Sequence, residues 1–214
     1  MVEPLILFAH GAGAPSSHPW MKAWAEQLGA FAKVVRFDYA YMRAGRRAPD
    51  RLPQLIEAHC AALHAARAAH PGPVVLCGKS LGSRVGCHLS LEEPVSALVC
   101  LGYPLVGVGR KHVGARSEPE ASVVGSRPVR DAVLRELRTP VLFAQGTRDP
   151  LCPLDRLERV RGELRAPSEL VVVEGGDHSL LVTERRLAAA GEQQADVDRR
   201  TCEAIRRFVE RATA

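Results

Sequence analysis

Short apolar runs alternate with longer amphipathic stretches along most of this chain. The runs are Leu5–Ala9, Val34–Phe37, Val74–Cys77, Ala97–Leu101, Val141–Ala144 and Leu170–Val173. Most are continuous rather than alternating in polarity, as expected of strands covered on both faces by helices. Between the first two runs, Trp20, Trp24 and Leu28 repeat every four residues and mark one stripe of a helix. Between the second and third, Leu52, Leu55, Ile56, His59 and Leu63 keep the same period. The segment after Ser80 reads as helical through Leu91 and is stopped by Pro94, and Ile205, Phe208 and Val209 mark a last amphipathic helix. Alternation of this kind predicts βαβ units and an α/β fold: a mainly parallel six-stranded sheet with helices on both faces.

Two stretches break the pattern. Residues from about 106 to 130 mix glycine, arginine, serine and proline without period, and read as a loop or cover inserted in the domain. Residues 183–200 are polar and read as a surface loop running into helix. The alternation resumes after each, so residues 1–214 are expected to form one α/β domain.

Composition narrows the function classes. The chain has 46% hydrophobic and 25% charged residues, ordinary globular usage with material for a sizeable core. Its net charge of +5 raises nucleic acid or membrane as partners. The arginines, however, are interspersed with acids, as in Glu184-Arg185-Arg186 and from Glu203 to Arg207, which describes solvated helix faces. Neither nucleic acid nor membrane is expected as a partner. Cys60, Cys77, Cys87, Cys100, Cys152 and Cys202 form no Cys-x-x-Cys pair, and several lie in apolar runs. With no basic leader and no span-length apolar stretch, the expectation is a cytoplasmic protein with reduced thiols.

The chemistry concentrates where a strand meets Gly78-Lys79-Ser80-Leu81-Gly82 and a helix follows. Lifting a serine hydroxyl clear of a sheet requires a sharp strand-to-helix turn, and side chains at Gly78 or Gly82 would collide across it. The helix also directs its N-terminus at the serine, where negative charge is favoured. A serine needs a base and an orienting acid, which in this arrangement follow in the order acid, then histidine, just after later strands. After Val141–Ala144 comes Gln145-Gly146-Thr147-Arg148-Asp149, and after Leu170–Val173 comes Glu174-Gly175-Gly176-Asp177-His178-Ser179. Ser80, Asp149 and His178 are therefore the expected catalytic residues. Taken singly, Asp149 before Pro150 could only shape a turn, and His178 could be a surface histidine. Asp177 and Glu174 are rival acids, although Asp177 points awkwardly at a ring next to it in the chain.

Attack on an ester builds an oxyanion that backbone N–H groups stabilise. Leu81, after the nucleophile, supplies one. The other is expected from the loop His10-Gly11-Ala12-Gly13-Ala14, with Ala12 the choice of donor and Gly11 allowing a substrate close approach. Lys79, Arg84 and Arg148 flank the site and could favour an anionic substrate, a secondary reading, since Arg84 more simply braces loops or meets Asp38. His18 suits a helix cap, and His59, His64 and His70 are expected to face solvent. No metal-ligand spacing is present, so neither a metal nor a cofactor is expected. A phosphate-cradling loop around Gly78-Lys79-Ser80 is excluded by Pro73 where its leading glycine would stand.

These motifs resemble the serine members of the dienelactone-hydrolase-like α/β-hydrolases. The likeness is strongest to the small branch with the non-specific-lethal histone-acetyltransferase complex subunit and its testis-expressed relative. It is carried by Phe8-Ala9-His10-Gly11-Ala12-Gly13-Ala14, Val35-Arg36-Phe37-Asp38-Tyr39, Gly78-Lys79-Ser80-Leu81-Gly82-Ser83-Arg84, Cys100-Leu101-Gly102-Tyr103-Pro104, Gln145-Gly146-Thr147-Arg148-Asp149 and Gly176-Asp177-His178-Ser179. The resemblance implies an α/β-hydrolase fold lacking the first two strands of larger members, and a triad on Ser80, Asp149 and His178. It also puts Tyr103, with Gly11, against the substrate. Where the branch has a short proline-rich link after Gly-Tyr-Pro, this chain inserts the 106–130 stretch. The missing strands would leave an edge that a second copy could cover, as a homodimer. The expected function is a serine hydrolase acting on a small-molecule ester, the low aromatic content (5%) pointing to a small acyl pocket. The alternative is a hydrolase fold kept as a binding or scaffold protein, since one member of the branch is a complex subunit.

Overall fold

The computed structural model describes residues 2–107, 122–124 and 127–214. The elements run β1 (Leu5–Ala9), α1 (Pro19–Leu28), β2 (Lys33–Phe37), α2 (Ala40–Arg43), α3 (Leu52–Ala68), β3 (Val74–Lys79), α4 (Leu81–Leu89), β4 (Ala97–Leu101), β5 (Ser122–Val124) and β6 (Arg127–Val129). They continue with α5 (Ala132–Glu136), β7 (Val141–Gly146), α6 (Leu154–Gly162), β8 (Ser168–Val173), α7 (Glu184–Ala190) and α8 (Gln194–Thr213). Six strands form one sheet in the order β2-β1-β3-β4-β7-β8, every neighbouring pair parallel. β1 and β4 are buried at every position. The edge strands β2 and β8 are only partly buried, which is why their ends tolerate Lys33, Arg36, Ser168 and Glu169.

A period of two divides each strand between two cores. Leu5 and Leu7 join Leu63 of α3, Cys87 and Leu89 of α4, Leu134 of α5 and Leu157 of α6 on one face. Ile6 and Phe8 join Trp24 and Leu28 of α1 and Ile205, Phe208 and Val209 of α8 on the other. Each fully buried large apolar side chain contributes roughly 1.5–3 kcal/mol, so both helix layers are fixed to the sheet. The chain leaves β1 for β2 on one side and then crosses to β3 on the other. That switch opens a crevice at the carboxyl ends of β1 and β3, where ligands gather in such sheets.

The aperiodic insertion is not all loop. β5 and β6 pair as an antiparallel ribbon, and Val106 bridges to Val129. The expected cover over residues 108–121 and 125–126 lies outside the described residues. The polar stretch over 183–200, expected as a loop running into helix, does run into α8, but its first part forms α7 rather than loop.

Candidate active site

β3 ends at Lys79, and Ser80 turns the chain into α4 with φ 50° and ψ −110°. A non-glycine residue there costs on the order of 1–3 kcal/mol, and its surroundings hold it in place. The Ser80 N–H donates to the Leu101 carbonyl at 3.0 Å, while its own carbonyl accepts from the Ser83 and Arg84 amides at 3.1 and 3.2 Å. The Ser83 hydroxyl adds a bond of 2.6 Å. The two glycines are forced by proximity. A Cβ on Gly78 would lie 2.1 Å from the Ser83 nitrogen, and one on Gly82 2.5 Å from the Ala9 carbonyl of β1.

Asp149 follows β7 and His178 follows β8. Although 98 residues separate His178 from Ser80 in the chain, its Nε2 lies 2.8 Å from the Ser80 hydroxyl. On the other side of the ring, Nδ1 lies 2.7 Å from Asp149 Oδ2. An ionised carboxylate only accepts, so Nδ1 carries the ring proton and Nε2 offers its lone pair to the serine O–H. Asp149 is 4% exposed. Its Oδ2 also accepts from the Gln145 amide at 2.5 Å, and its Oδ1 from the Leu151 N–H at 2.8 Å. Burial pushes this carboxyl's pKa up, but His178 and these two donors together outweigh it, and the group is held below the usual carboxylate value. Such an arrangement can move the serine proton to the ring as the oxygen attacks an electrophile.

The rival acids are engaged elsewhere. Asp177 Oδ1 accepts from the Ser179 and Leu181 amides and shapes the turn, and Glu174 meets Thr147 and Arg186.

The loop after β1 also reaches the elbow. Tyr39 N–H donates to His10 Nε2 at 3.1 Å, so the proton of this buried ring sits on Nδ1, which donates to the Gly11 carbonyl at 2.6 Å. Burial holds the ring's pKa down, against the pull of Gly11 and Asp38. The Tyr41 hydroxyl lies 3.2 Å from the Ala12 carbonyl and 3.4 Å from that of Gly11. With the Gly11 carbonyl fixed inward and a planar trans peptide, the Ala12 N–H must point the opposite way. A Cβ on Gly11 would sit 3.6 Å from that of Ser80, so this loop touches the elbow. Leu81 is the first residue of α4, and its N–H is one of the helix's unpaired amides.

Other expectations need correction. Tyr103 is fully buried, donates its hydroxyl to the Arg130 carbonyl at 2.9 Å and packs edge-on against Phe143. Its ring belongs to the core. His59 is also fully buried, 3.1 Å from the Tyr39 hydroxyl, and does not face solvent. Lys79, one of the three cations flanking the nucleophile and the acid, is 9% exposed and donates to the His178 carbonyl. His18 does cap α1, accepting from Trp20 N–H at 3.2 Å. Sequence reasoning gave Gln145, Tyr41 and Trp20 no role at the site. The parity of Gln145 along β7 was the one available signal for any of them.

Among the described residues, Cys60, His64 and Glu93 bring potential metal donors within 4.8 Å of one another. Glu93, though, is already closed by Arg67 at 2.6 Å and His64 at 2.9 Å, a network complete without an ion. A groove of about 480 Å³ opens between β8, α7 and α8, lined by Val171, Val173, Leu187 and Val197. It includes none of Ser80, Asp149 or His178.

Comparison with known proteins places this geometry in context. The family model described as the alpha/beta hydrolase domain matches residues 2–210. The fold is similar to that of an alpha-beta serine hydrolase homologue from Coxiella burnetii, with a TM-score of 0.66 at 17% identity over 92% of this chain and 85% of that one. It is similar to dienelactone hydrolase from Anabaena variabilis, with a TM-score of 0.62 at 20% identity over 94% and 85% of the two chains. A monoacylglycerol lipase from Paleococcus ferrophilus superposes with a TM-score of 0.66 at 16% identity over 95% and 94%.

Proposed function

The chain belongs to the alpha/beta hydrolase domain family, and on that premise we propose that it is a serine hydrolase cleaving a small carboxylic ester or thioester. The reading is supported above all by the unbroken hydrogen-bonded chain from the Ser80 hydroxyl through His178 to Asp149. Fold neighbours that include a serine hydrolase homologue, a dienelactone hydrolase and a lipase add to it.

The mechanism follows from the proton positions. As Ser80 Oγ attacks the acyl carbonyl, its proton passes to His178 Nε2, and Asp149 stabilises the imidazolium through Nδ1–H. The carbonyl oxygen becomes an oxyanion received by the N–H groups of Leu81 and Ala12, the latter aimed by the His10–Gly11 bond. His178 returns its proton to the leaving oxygen or sulfur, which departs and leaves Ser80 acylated. Water then attacks the acyl-enzyme, giving its proton to His178, and the acid leaves as the serine recovers that proton. The narrower likeness to the non-specific-lethal branch, a single domain over 1–214 and a cytoplasmic location belong to the same reading. Six unpaired cysteines, five of them buried, fit a reducing compartment.

The test is labelling by a fluorophosphonate, together with hydrolysis of p-nitrophenyl esters of graded acyl length. Wild-type protein should label, and short acyl chains should react fastest. Ser80→Ala should abolish labelling and, like His178→Ala, lower turnover by roughly 10⁴-fold or more. Folded wild-type protein that never labels would instead favour a scaffold, and undiminished turnover in Ser80→Ala would remove the assignment.

A further inference from the structure

Lys79 is the residue between the strand and the serine. A side chain at this position of an elbow has no part in the proton transfer just described, yet this one is buried. Burying an ammonium is costly unless it is paired and hydrogen-bonded, so its surroundings bear on why it is there. Its Nζ donates to the main-chain carbonyl of His178, reaching from β3 to the loop after β8. The same ammonium lies 5.6 Å from the centre of the Trp20 ring on α1, within cation–π range. Trp20 in turn donates its indole N–H to the Ser179 carbonyl at 2.9 Å. Two consecutive carbonyls of the histidine loop are thus held by donors from two elements that also touch each other.

The fourth wall is Gly102 at the end of β4, with φ +64°. A Cβ there would come 2.5 Å from the His178 carbonyl and 3.1 Å from the Lys79 Nζ, so nothing larger fits beside the contact. The loop itself is tightly wound: Asp177 accepts two of its amides and Leu180 takes φ +64°. A turn under that local strain needs an external anchor to hold a ring to within a fraction of an ångström.

We propose that Lys79 is a positioning residue for the reaction, an ammonium latch that ties the His178 loop to the strand end carrying Ser80. The inference rests on the hydrolase reading and adds regulation to the same site. The charges facing the ammonium are the carboxylates of Asp149 and Asp177. Trp20 and Gly102 supply no charge, and the His178 loop presents its carbonyl. Burial lowers the Lys79 pKa to about 8, against the pull of Asp149 and Asp177. Below that pH the latch is a charge-assisted hydrogen bond, and above it an amine holds the carbonyl less firmly. Turnover therefore falls as pH rises through about 8, with substrate binding little altered.

The decisive variant is Lys79→Met, which keeps the stem and removes the ammonium. We expect kcat to fall about 30-fold with KM within about threefold, since an ångström of misplacement can cost about 100-fold. The wild-type alkaline limb should vanish from the Lys79→Met pH profile. Trp20→Phe, which keeps a ring under Lys79 but removes the bond to Ser179, should lower kcat about fivefold. A merely structural lysine would lower thermal stability while leaving the pH profile of kcat unchanged, and that outcome overturns the proposal. So does wild-type kcat in Lys79→Met. If Lys79→Met does not fold, wild-type activity that stays flat from pH 7 to 9.5 overturns it in the same way. If wild-type protein never labels with the fluorophosphonate, the hydrolase reading fails on its own. The latch is then judged by hydrogen exchange at residues 179–181, which should quicken at least tenfold in Lys79→Met or Trp20→Phe; equal protection sinks it.

Discussion

The two sides of Ser80 are built from different chemistry. On the side of the loop after β1, His10, Tyr39, Tyr41 and His59 form a buried set that bonds through neutral rings and hydroxyls. Burial presses His10 and His59 away from charge and pushes the Tyr41 hydroxyl up to about 12, so every member stays neutral near pH 7. On the histidine-loop side, Asp149 and Lys79 are buried as ions, and each has charged or strongly polar partners. A neutral network fixes a peptide plane rigidly and without regard to pH. An ionic one also meets the charge that develops on the imidazole, and brings sensitivity to pH with it. In the proposed mechanism the oxyanion side needs only a fixed N–H, whereas the base side needs a field that responds to a moving proton.

The largest effect should come from breaking the ionic side. Asp149→Asn keeps the shape but presents an amide that favours the wrong tautomer of His178, and kcat should fall roughly 10³- to 10⁴-fold. Asp177→Asn, by contrast, should cost less than about tenfold, because that carboxylate shapes a turn and does not meet the ring. Steady-state kinetics on one activated ester, with both variants checked for folding, decides it. A larger loss in Asp177→Asn would move the acid.

Breaking the neutral side should cost less. His10→Ala frees the Gly11 carbonyl and leaves the Ala12 N–H unaimed, and should lower kcat about 100-fold, the scale of one lost oxyanion donor. Because burial holds the His10 pKa below its ordinary value, this loss should be constant between pH 7.5 and 8.5. A loss that itself varies over that range would mean the two sides are not chemically distinct.

How far this contrast was legible in the sequence depends on the residue. The order Ser80, Asp149, His178 could be read because each follows an apolar run, and a parallel sheet gathers such strand ends at one edge. β1 and β4 coincide with their apolar runs because both are buried throughout. β3 and β7 run two residues beyond theirs, through Gly78-Lys79 and Gln145-Gly146, because pairing continues after hydrophobicity stops. α6 buries only Leu157 and Val160, and α7 buries nothing, so neither left a stripe to detect. Side-chain direction was the harder quantity. A lysine beside a nucleophile shows only that it flanks the site, and a tyrosine beside a glycine reads as a substrate contact. Their burial depends on Trp20, Gly102 and the Arg130 carbonyl, contacts between elements far apart in the chain.

The smallest effect on turnover, and the sharpest on stability, is expected at His59. The ring is fully buried, and desolvation lowers its pKa to about 3, against about 6.5 in an unfolded chain. Between those values the unfolded state binds the extra proton, so stability is fully present above pH 6.5 and is lost as pH falls toward 3. The slope from this one group is at most about 1.4 kcal/mol per pH unit. His59→Phe removes that slope and leaves the Tyr39 hydroxyl short of a partner, at a cost of roughly 1–3 kcal/mol. Urea unfolding should therefore find the variant weaker than wild type at pH 7 and close to it, or stronger, at pH 5, while kcat at pH 7 changes less than twofold. If the gap is the same at both pH values, His59 does not titrate on unfolding. The neutrality of the oxyanion side would then have to come from something other than burial.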